Sequence, residues 1–373
     1  MSDEVKEVKP KYYSLNSILR KKANYNMIIG ERSNGKTYAV LKYALQNYFK
    51  SGCKEQFAYI RRWATDIKGK RATDLFSSIN LNGEVTKMSD GKYDGVTYWN
   101  GKFYFCTYDD NGKPIYSDGD IVGHIFALNE TEHNKSISYP LITTVIFDEF
   151  LTRNQYLVDE FVVFMNTLST IIRQRNNVII FMLGNTVNKY SPYFEEMGLT
   201  HIQEQKQGSI ETYSYGNSDL TVAVEYCGAM KEGKQSDKYF AFDNPKLNMI
   251  TSGVWELALY NHLPCKYYPE NIAYTYFIEF NGNTYQAEII RVDKQYFTYI
   301  HDKTTPIKDE EHDLIYSLDY HATLNYCRNI LKPITQFQKK ITWFFLTDNV
   351  CYQNNTIGDA IHNYLMICRQ KSL

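Results

Sequence analysis

The sequence predicts a three-layer α/β domain built on a parallel sheet, followed by a smaller α+β domain. Continuous apolar runs at 143–147 and 178–183 are typical of strands that are buried on both faces of such a sheet. Segments with the apolar spacing of helices alternate with these runs, and the alternation ends near residue 205. The chain has 373 residues, whereas one typical domain has ~100–200. We therefore expect two domains.

The first predicted domain, residues 1–205, opens with a strand, a glycine-containing loop and a helix. A short apolar run at 24–29 ends at Gly30. After the loop, apolar residues follow the spacing of an amphipathic helix at Leu41, Leu45, Tyr48 and Phe49, and Gly52 fits a helix stop. The segment 56–61 is rich in strand-forming residues. It predicts the second core strand.

A β-rich insertion is predicted at 84–127, between two core strands. Asn-Gly at 100–101 lies between two strand-like segments, which is a strong hairpin signal, and Asn-Gly at 111–112 predicts a second turn. After the run at 143–147, apolar positions repeat at helical spacing from Phe161 to about Arg173.

The rest of the chain is expected to hold a linker and the second domain. Residues 206–248 are polar and predict a linker or a small subdomain. In the second domain, residues 249–373, strands at 273–280 and 284–292 flank an Asn-Gly-Asn turn. A third strand is predicted at 295–300. Helices are predicted at about 319–331 and 357–368.

Composition and charge exclude several classes of protein. Hydrophobic residues make up 43% and charged residues 22% of the chain, which argues against global disorder. The formal charge of −1 excludes a histone-like basic protein. Residues 1–75 nevertheless carry a local charge of +9. Such a basic region suits a protein that meets a polyanion on one face, and it equally suits a nucleotide-binding domain.

The cysteines and the apolar runs suggest where the protein works. The seven cysteines are scattered, without a CxxC or Cys/His cluster, so neither a disulfide framework nor a zinc site is expected. This pattern suits a reducing cytoplasm. No run of ~18 apolar residues occurs, so we expect a soluble intracellular protein without membrane contact.

A phosphate-binding loop is the strongest motif in the sequence. The pattern G-x-x-x-x-G-K-[ST] is met by Gly30, Glu31, Arg32, Ser33, Asn34, Gly35, Lys36 and Thr37. The two glycines let the backbone curl so that N–H groups point at phosphate oxygens, and the helix N-terminus adds positive potential. Lys36 is expected to reach the β- and γ-phosphates, and the Thr37 hydroxyl to bind Mg²⁺. The loop therefore predicts a P-loop NTPase that uses ATP and Mg²⁺.

Two adjacent acids, Asp148 and Glu149, follow the buried run at 143–147. Downstream of a P-loop, Asp148 takes the place of the Walker B carboxylate, which holds Mg²⁺ through water. Glu149 takes the place of the base that polarises the attacking water. A phosphate kinase or a GTPase usually lacks this glutamate. The pair therefore predicts an ATPase of the ASCE type.

Other polar residues have both a functional and a structural interpretation. Asn185 ends the next buried strand, where a sensor of the γ-phosphate would lie, and it could equally turn a loop. Arg173 and Arg175 could balance the negative end of a helix, or one could reach a neighbouring subunit's ATP as an arginine finger, for which we prefer Arg175. The remaining candidate contacts to nucleotide or DNA, each equally explained as a solvated charge, are Arg32, Arg61, Arg62 and Lys135.

The second domain shows no comparable set. Glu279, Asp293 and Asp302 could imitate the carboxylates of a two-metal nuclease, but no further acid is placed with them. Acids at strand ends are usually just solvated. His133, His312 and the acids at 309–313 are expected to lie at the surface.

Taken together, the motifs resemble those of the DNA-packaging ATPases of small podoviruses of the phi-twenty-nine type. The resemblance covers about residues 15–205 and more loosely the hairpin and the last helix. Its features are the P-loop at 30–37, the Tyr-Ile-Arg-Arg strand end at 59–62, the Asp-Glu-Phe at 148–150, Arg173-x-Arg175, and the strand ending in Asn185 with the segment 190–194 after it. One departure is Ala64, where the family has a basic residue.

The resemblance implies a homomeric ring, of five subunits, that docks on the portal of an empty capsid and pumps double-stranded DNA inward. By position, the family's trans-acting arginine falls on Arg175, its Walker pair on Asp148 and Glu149, and its P-loop lysine on Lys36. The second domain would resemble an RNase H-like nuclease that has lost its catalytic acids. It would bind the portal, DNA or a structural RNA. The protein would act in the host cytoplasm, docked transiently at the portal vertex, and be absent from the mature virion.

Two other classes of function share the same first domain. One is a P-loop ATPase outside packaging, such as a helicase-like or a secretion ATPase. The other is a large terminase whose second domain is an active nuclease. A nucleotide kinase fits less well, because no lid or acceptor signature is evident.

Overall fold

The computed structural model describes residues 12–130, 137–152, 156–157, 159–186, 191–202, 204–216, 218–228, 260–280, 282–292, 295–308, 312–319, 321, 323 and 325–370. The chain divides into two compact units, Met1–Glu256 and Leu257–Leu373. Among the described residues, no helix combines the length and the apolar character needed to cross a bilayer.

The first unit is a mixed α/β structure. Its helices are α1 (Asn16–Leu19), α2 (Lys36–Lys50), α3 (Lys70–Asp74), α4 (Ser77–Leu81), α5 (Glu84–Met88), α6 (Glu160–Ile172) and α7 (Pro192–Glu196). Its strands are β1 (Tyr25–Gly30), β2 (Gln56–Arg61), β3 (Gly95–Trp99), β4 (Lys102–Tyr108), β5 (Pro114–Ile115), β6 (Ile121–Ala127), β7 (Ile142–Asp148), β8 (Ile179–Asn185), β9 (Ser209–Ser214) and β10 (Thr221–Tyr226).

One large sheet organises this unit, in the order β3-β4-β6-β2-β7-β8-β1-β10-β9. The six central strands, from β6 to β10 in this order, are parallel to one another. Every residue of β1 and β7 is buried, because both faces of the sheet are covered. Side chains of one core, which includes Phe164 of α6, pack on one face, and those of a second core, which includes Leu41 of α2, pack on the other. The predicted three layers are therefore present.

The β-rich insertion is confirmed and extends the sheet. Strands β3 and β4 form a hairpin around Asn100 and Gly101, which have φ values of 44° and 80°. Two consecutive left-handed residues suit the right-handed twist of a hairpin, and Asn-Gly tolerates them best. Strand β6 then returns beside β2, in parallel orientation.

The prediction of a linker or small subdomain over 206–248 is wrong for the first part of this segment, which forms two strands of the first unit's sheet. Strand β10 pairs in parallel with β1, and β9 pairs with β10 at the edge of the sheet. The polar edge strand β9 and the three-residue apolar run at 222–224 were too weak a signal to predict strands. The first unit therefore extends beyond residue 205. Most of the remaining predicted linker lies outside the described residues.

In the second unit, the described residues form a mixed sheet and two α-helices. Its strands are β11 (Ile272–Phe280), β12 (Asn283–Val292), β13 (Gln295–Asp302), β14 (Ile315–Ser317), β15 (Tyr326–Cys327) and β16 (Val350–Tyr352), and its helices are α8 (Gln336–Leu346) and α9 (Asn355–Gln370). The sheet order is β15-β14-β11-β12-β13-β16. Strands β11, β12 and β13 are antiparallel, whereas β14 is parallel to β11 and β15 to β14. The predicted hairpin, third strand and last helix are confirmed.

The helix predicted at 319–331 is wrong. The described part of that segment contains the short strand β15, and the helix begins later, at Gln336. Thr335 and Gln338 form a capping box that satisfies the free N–H groups at this helix start. Pro333 precedes it and disfavours an earlier start.

A buried ion pair joins β2, β7 and α6 within the first unit. Arg62 follows β2 and donates two hydrogen bonds to Glu160, at 2.7 and 2.8 Å. Arg62 also donates to the carbonyl of Phe150, at 2.7 Å, and Tyr193 donates to Glu160, at 2.7 Å. Arg62 and Glu160 are 5% and 2% exposed. Their charges are therefore compensated mainly by each other.

We expect Glu160→Gln to lower the free energy of unfolding of the first unit by about 3–5 kcal/mol, because it leaves the Arg62 charge buried without its partner. The matched control is Glu130→Gln, in the exposed Lys68–Glu130 pair, with an expected cost of about 0–1 kcal/mol. Urea denaturation followed by circular dichroism measures both. Equal losses of unfolding free energy in the two variants would show that the buried ion pair stabilises the first unit no more than the exposed pair does.

Candidate functional site

The P-loop lies between β1 and α2, at the carboxyl edge of the parallel strands. Gly35 has a φ of 90°, a left-handed conformation that glycine adopts without strain. A Cβ on Gly30 would lie 2.8 Å from the Cβ of Cys227, so only a glycine fits there. The two glycines thus have different roles. Gly35 permits the turn into α2, and Gly30 permits close packing against the residue that follows β10.

Lys36 is buried within the loop, at 6% exposure. Its Nζ donates to the carbonyl oxygens of Glu31 and Gly30, at 2.6 and 3.3 Å, and to Oδ1 of Asn34 and Asn185, at 3.1 and 3.4 Å. Burial lowers the pKa of Lys36, although the nearby acidic groups oppose this. The ammonium is thus held by neutral oxygens. A phosphate would supply the anion that this charge favours.

Thr37 and Asp148 bring the P-loop and the end of β7 together. The Thr37 hydroxyl donates to Oδ2 of Asp148, at 3.1 Å. Strand β8 lies between β1 and β7, and the parallel order places the ends of all three at one edge. Hydroxyl and carboxylate oxygens are hard ligands that fit Mg²⁺, which usually takes one or two carboxylates together with phosphates and water. No larger cluster of metal-binding side chains occurs in the part of the chain described.

The Glu149 side chain takes no part in the hydrogen bond between Thr37 and Asp148. It has a φ of 57°, unusual for a residue other than glycine and a common sign of a functional constraint. Its side chain is 56% exposed, and Arg61 donates to Oε2 at 2.6 Å. Arg62 donates to the Glu149 carbonyl at 3.2 Å. The sequence had suggested phosphate or DNA contacts for both arginines, but Arg61 faces Glu149, and the buried Arg62 faces Glu160.

Asn185 lies where a sensor residue was expected. It ends β8, pairs in register with Gly30, and points its Oδ1 at Lys36. The exposed Arg32 and Ser33 line the same cleft, whereas Glu31 and Asn34 are buried. The cleft has a volume of about 1180 Å³, large enough for a nucleotide.

Two N-terminal residues, Tyr12 and Tyr13, also contact the P-loop, although the sequence analysis did not predict this. The backbone N–H of Tyr13 donates to the carbonyl of Asn34, at 2.9 Å, and its hydroxyl donates to Glu225 of β10, at 2.6 Å. Tyr12, which is 62% exposed, lies against Gly35 and lines the cleft. No motif marks these residues, because their role depends on a contact across more than 200 positions of sequence.

Arg173 and Arg175 lie at the opposite, amino edge of the sheet. Arg175 donates to the carbonyls of Tyr139 and Ile171, at 3.0 and 2.7 Å, and further carbonyls accept from it at Ile172, Pro140 and Ile142. Arg173, in contrast, donates to the carbonyl of Ile137, at 3.2 Å, from an exposed position. Our preference for Arg175 as a finger does not fit this geometry, because its guanidinium is occupied by backbone. Arg173 is the better placed of the two.

Distance excludes both arginines from their own chain's cleft. The seven residues of β8 separate the two edges of the sheet, a span of about 20 Å at 3.3 Å per residue. Either arginine could therefore meet a nucleotide only in another subunit. Lys135, the further basic candidate, lies outside the described residues.

Of the acids suggested for a nuclease, the two that the structure describes, Glu279 and Asp302, do not form a common site. Glu279 pairs with Thr284, and Asp302 pairs with Tyr285. Successive residues of a strand point to opposite faces, so the side chains of Glu279 and Asp302 point to opposite faces of the sheet. Glu279 instead lies 3.6 Å from His321. The two acids cannot share a metal ion, and Asp293, His133 and Asp309 lie outside the described residues.

Comparison with known proteins identifies one family. A family model described as "Podovirus DNA encapsidation protein (Gp16)" matches residues 8–207. The DNA packaging protein of Bacillus phage B103 is 30% identical over 177 residues, which cover 47% of this chain and 48% of the relative. That of Bacillus phage phi29 is 27% identical over 186 residues, 49% of each chain. The chain thus aligns with about half the length of these curated relatives.

Two solved structures share the fold over nearly the whole chain. A chain of "The Phi-28 gp11 DNA packaging Motor" has a TM-score of 0.58 and 17% identity, covering 96% of this chain and 98% of its own. A chain of "The bacteriophage Phi-29 viral genome packaging motor assembly" has a TM-score of 0.56 and 19% identity, covering 97% and 99%. These likenesses establish the fold.

We expect Lys36→Ala to weaken ATP binding by about 10- to 150-fold, which corresponds to the loss of one charged hydrogen bond of about 1.5–3 kcal/mol. The control is Lys42→Ala, because Lys42 lines the same cleft but pairs with Glu84 at 2.8 Å. Equilibrium binding of a fluorescent ATP analogue measures both. Equal losses of ATP affinity in the two variants would mean that Lys36 contributes no more to ATP binding than Lys42 does.

Proposed function

The chain belongs to the podovirus DNA encapsidation protein family, and from this premise we propose that it is an ATP-driven motor that moves double-stranded DNA into a preformed procapsid. The observation that carries the proposal is the contact between Thr37 and Asp148 beside Lys36 and Glu149. The residues proposed to hold a triphosphate, those proposed to hold a cation and the proposed base thus line one cleft. The names of the relatives supply DNA as the substrate on which such a cycle would act.

The strand order supports assignment to the ASCE type of P-loop ATPase. In that type, one strand separates the P-loop strand from the strand that carries the Walker B acids, as β8 separates β1 from β7 here. The acidic pair at the end of β7 agrees with this assignment. We propose ATP as the nucleotide and Mg²⁺ as the cofactor.

The residues of the cleft would divide the work of hydrolysis. The loop N–H groups and Lys36 would hold the phosphates, and Thr37 and Asp148 would hold Mg²⁺, which neutralises charge on the phosphate oxygens when bound. Glu149 would accept a proton from the attacking water. Before that step, the ion pair with Arg61 would hold the Glu149 carboxylate. Asn185 would sense the terminal phosphate through its contact with Lys36.

DNA translocation would follow from changes in grip around a homomeric ring of five subunits. Basic residues would hold DNA phosphates, which makes the contact independent of sequence and sensitive to salt. Hydrolysis would weaken the grip in one subunit and pass the DNA to the next. The ring would dock at the portal of the procapsid in the host cytoplasm, with a structural RNA as a further candidate partner, and would leave before the virion matures.

We propose that the second unit is a vestigial RNase H-like domain. Its three antiparallel strands, followed by strands parallel to the first, have the order of that fold. The opposite orientation of Glu279 and Asp302 argues against an active two-metal nuclease. This unit would serve to bind the portal, DNA or RNA.

The decisive experiment measures ATP hydrolysis with and without DNA and purified procapsids. We expect DNA and procapsids together to stimulate the wild-type protein. Glu149→Gln should bind ATP and hydrolyse it about 10²- to 10⁴-fold more slowly, because the general base is lost. Glu196→Gln, at an exposed site, is the matched control.

Three outcomes would contradict the proposal. Normal turnover in Glu149→Gln would remove Glu149 from its role. Strand separation without procapsids would favour a helicase. Cleavage of plasmid DNA in the presence of Mn²⁺, abolished by Glu279→Ala, would favour a terminase with an active nuclease.

We propose Arg173 as the residue that acts on the neighbouring subunit. Arg173→Ala should lower turnover by about 10³-fold or more, in the range of arginine fingers, without changing thermal stability. Arg175→Ala should chiefly lower stability, because it leaves backbone carbonyls without donors. Mixing Arg173→Ala with Glu149→Gln subunits should restore partial activity, since each supplies what its neighbour lacks. Full activity of Arg173→Ala alone, or no recovery on mixing, would refute the assignment.

A further inference from the structure

Tyr59 is a buried residue of the site that the proposed mechanism does not use. It lies in β2, beside β7, and is 2% exposed. Its hydroxyl donates to Oδ2 of Asp148, at 2.9 Å. A tyrosine hydroxyl is protonated at neutral pH, so it is a donor to this carboxylate. A buried hydroxyl is thus aimed at the aspartate that is expected to hold Mg²⁺.

The Asp148 carboxylate is fixed by three donors. The hydroxyls of Tyr59 and Thr37 both bind Oδ2, and the backbone N–H of Glu149 binds Oδ1, at 3.0 Å. Of these, Thr37 is expected to contact the cation itself. Tyr59 and the Glu149 N–H are then left to keep the carboxylate oriented. A neutral phenol suits this task, because a lysine or arginine there would compete with the cation for the carboxylate.

The neighbouring arginine of the same strand holds the other acid. Tyr59 and Arg61 lie two positions apart in β2, so their side chains point to the same face of the sheet. Tyr59 donates to Asp148, and Arg61 donates to the Glu149 carboxylate, at 2.6 Å. One face of β2 thus holds both acids of the pair at the end of β7.

We propose that Tyr59 is a positioning residue that orients Asp148 for Mg²⁺. The inference rests on the proposed function, because it assigns Asp148 to the metal. Partners of metal-binding carboxylates commonly contribute 10- to 100-fold to metal affinity or activity. Tyr59 would contribute in this way without touching the metal or the nucleotide.

The test is Tyr59→Phe, which removes one oxygen and adds no volume. Calorimetry with a non-hydrolysable ATP analogue, with and without Mg²⁺, separates nucleotide binding from metal binding. We expect affinity without Mg²⁺ to be unchanged, and the gain in affinity from Mg²⁺ to fall by about 10-fold or more. In an Asp148→Asn background, Tyr59→Phe should have no further effect on that gain, because Tyr59 acts through Asp148.

The matched control is Tyr25→Phe. Tyr25 is also a buried strand tyrosine, but its hydroxyl contacts only the sulfur of Met165 among the bonds found in the described residues, at 3.9 Å. Its Mg²⁺-dependent gain should equal that of the wild type. An unchanged gain in folded Tyr59→Phe would overturn the inference and leave the proposed function intact. Failure of the wild type to bind the nucleotide would instead refute the proposed function.

A second variant keeps the inference testable if Tyr59→Phe does not fold. Tyr59→Met also lacks the hydroxyl, and its flexible side chain adapts to a buried site. We expect it to reduce the Mg²⁺-dependent gain by about 10-fold or more in the same calorimetric measurement. An unchanged gain in folded Tyr59→Met would overturn the inference.

Discussion

The hydrogen bond between Thr37 and Asp148 joins two segments that lie 111 positions apart in the sequence. It can form only because β1, β8 and β7 are parallel and end at one edge of the sheet. Each strand is buried on both faces, so its register is set by apolar packing rather than by the polar residues at its end. The scaffold thus places the polar groups, and the polar groups need contribute little to the stability of the fold.

Around this contact, Arg61 at the end of β2 and Arg62 directly after it have different tasks. Arg62 is buried against Glu160 and holds the backbone of the segment that leaves β7. Arg61 is less buried; it donates to the side chain of Glu149 and also lies 3.5 Å from the carboxylate of Asp66. Arg62 thus binds the backbone of Glu149, and the less buried Arg61 binds its side chain. Such a division allows the Glu149 carboxylate to move while its Cα stays in place.

The P-loop, the acidic pair and the end of β8 could be predicted because each is a short motif with correct flanks. Tyr59 and Arg61 could not be assigned in that way, since their partners lie 89 and 88 positions away and depend on β2 lying beside β7. The strands β9 and β10 were missed for a related reason. Their place in the sheet is set by pairing with β1, and their own composition is too polar to show it. Arg175 illustrates a third case, because no sequence pattern reveals that a guanidinium is saturated by carbonyls.

The neutral surroundings of Lys36 have a consequence for the proposed cycle. Within the described residues, the hydrogen bonds of the Lys36 ammonium go to carbonyl and amide oxygens and to no carboxylate. Under the proposed function, an arriving phosphate would therefore displace no internal anion from this charge. Inorganic phosphate or pyrophosphate would then compete with ATP for Lys36, and their accumulation would slow the cycle.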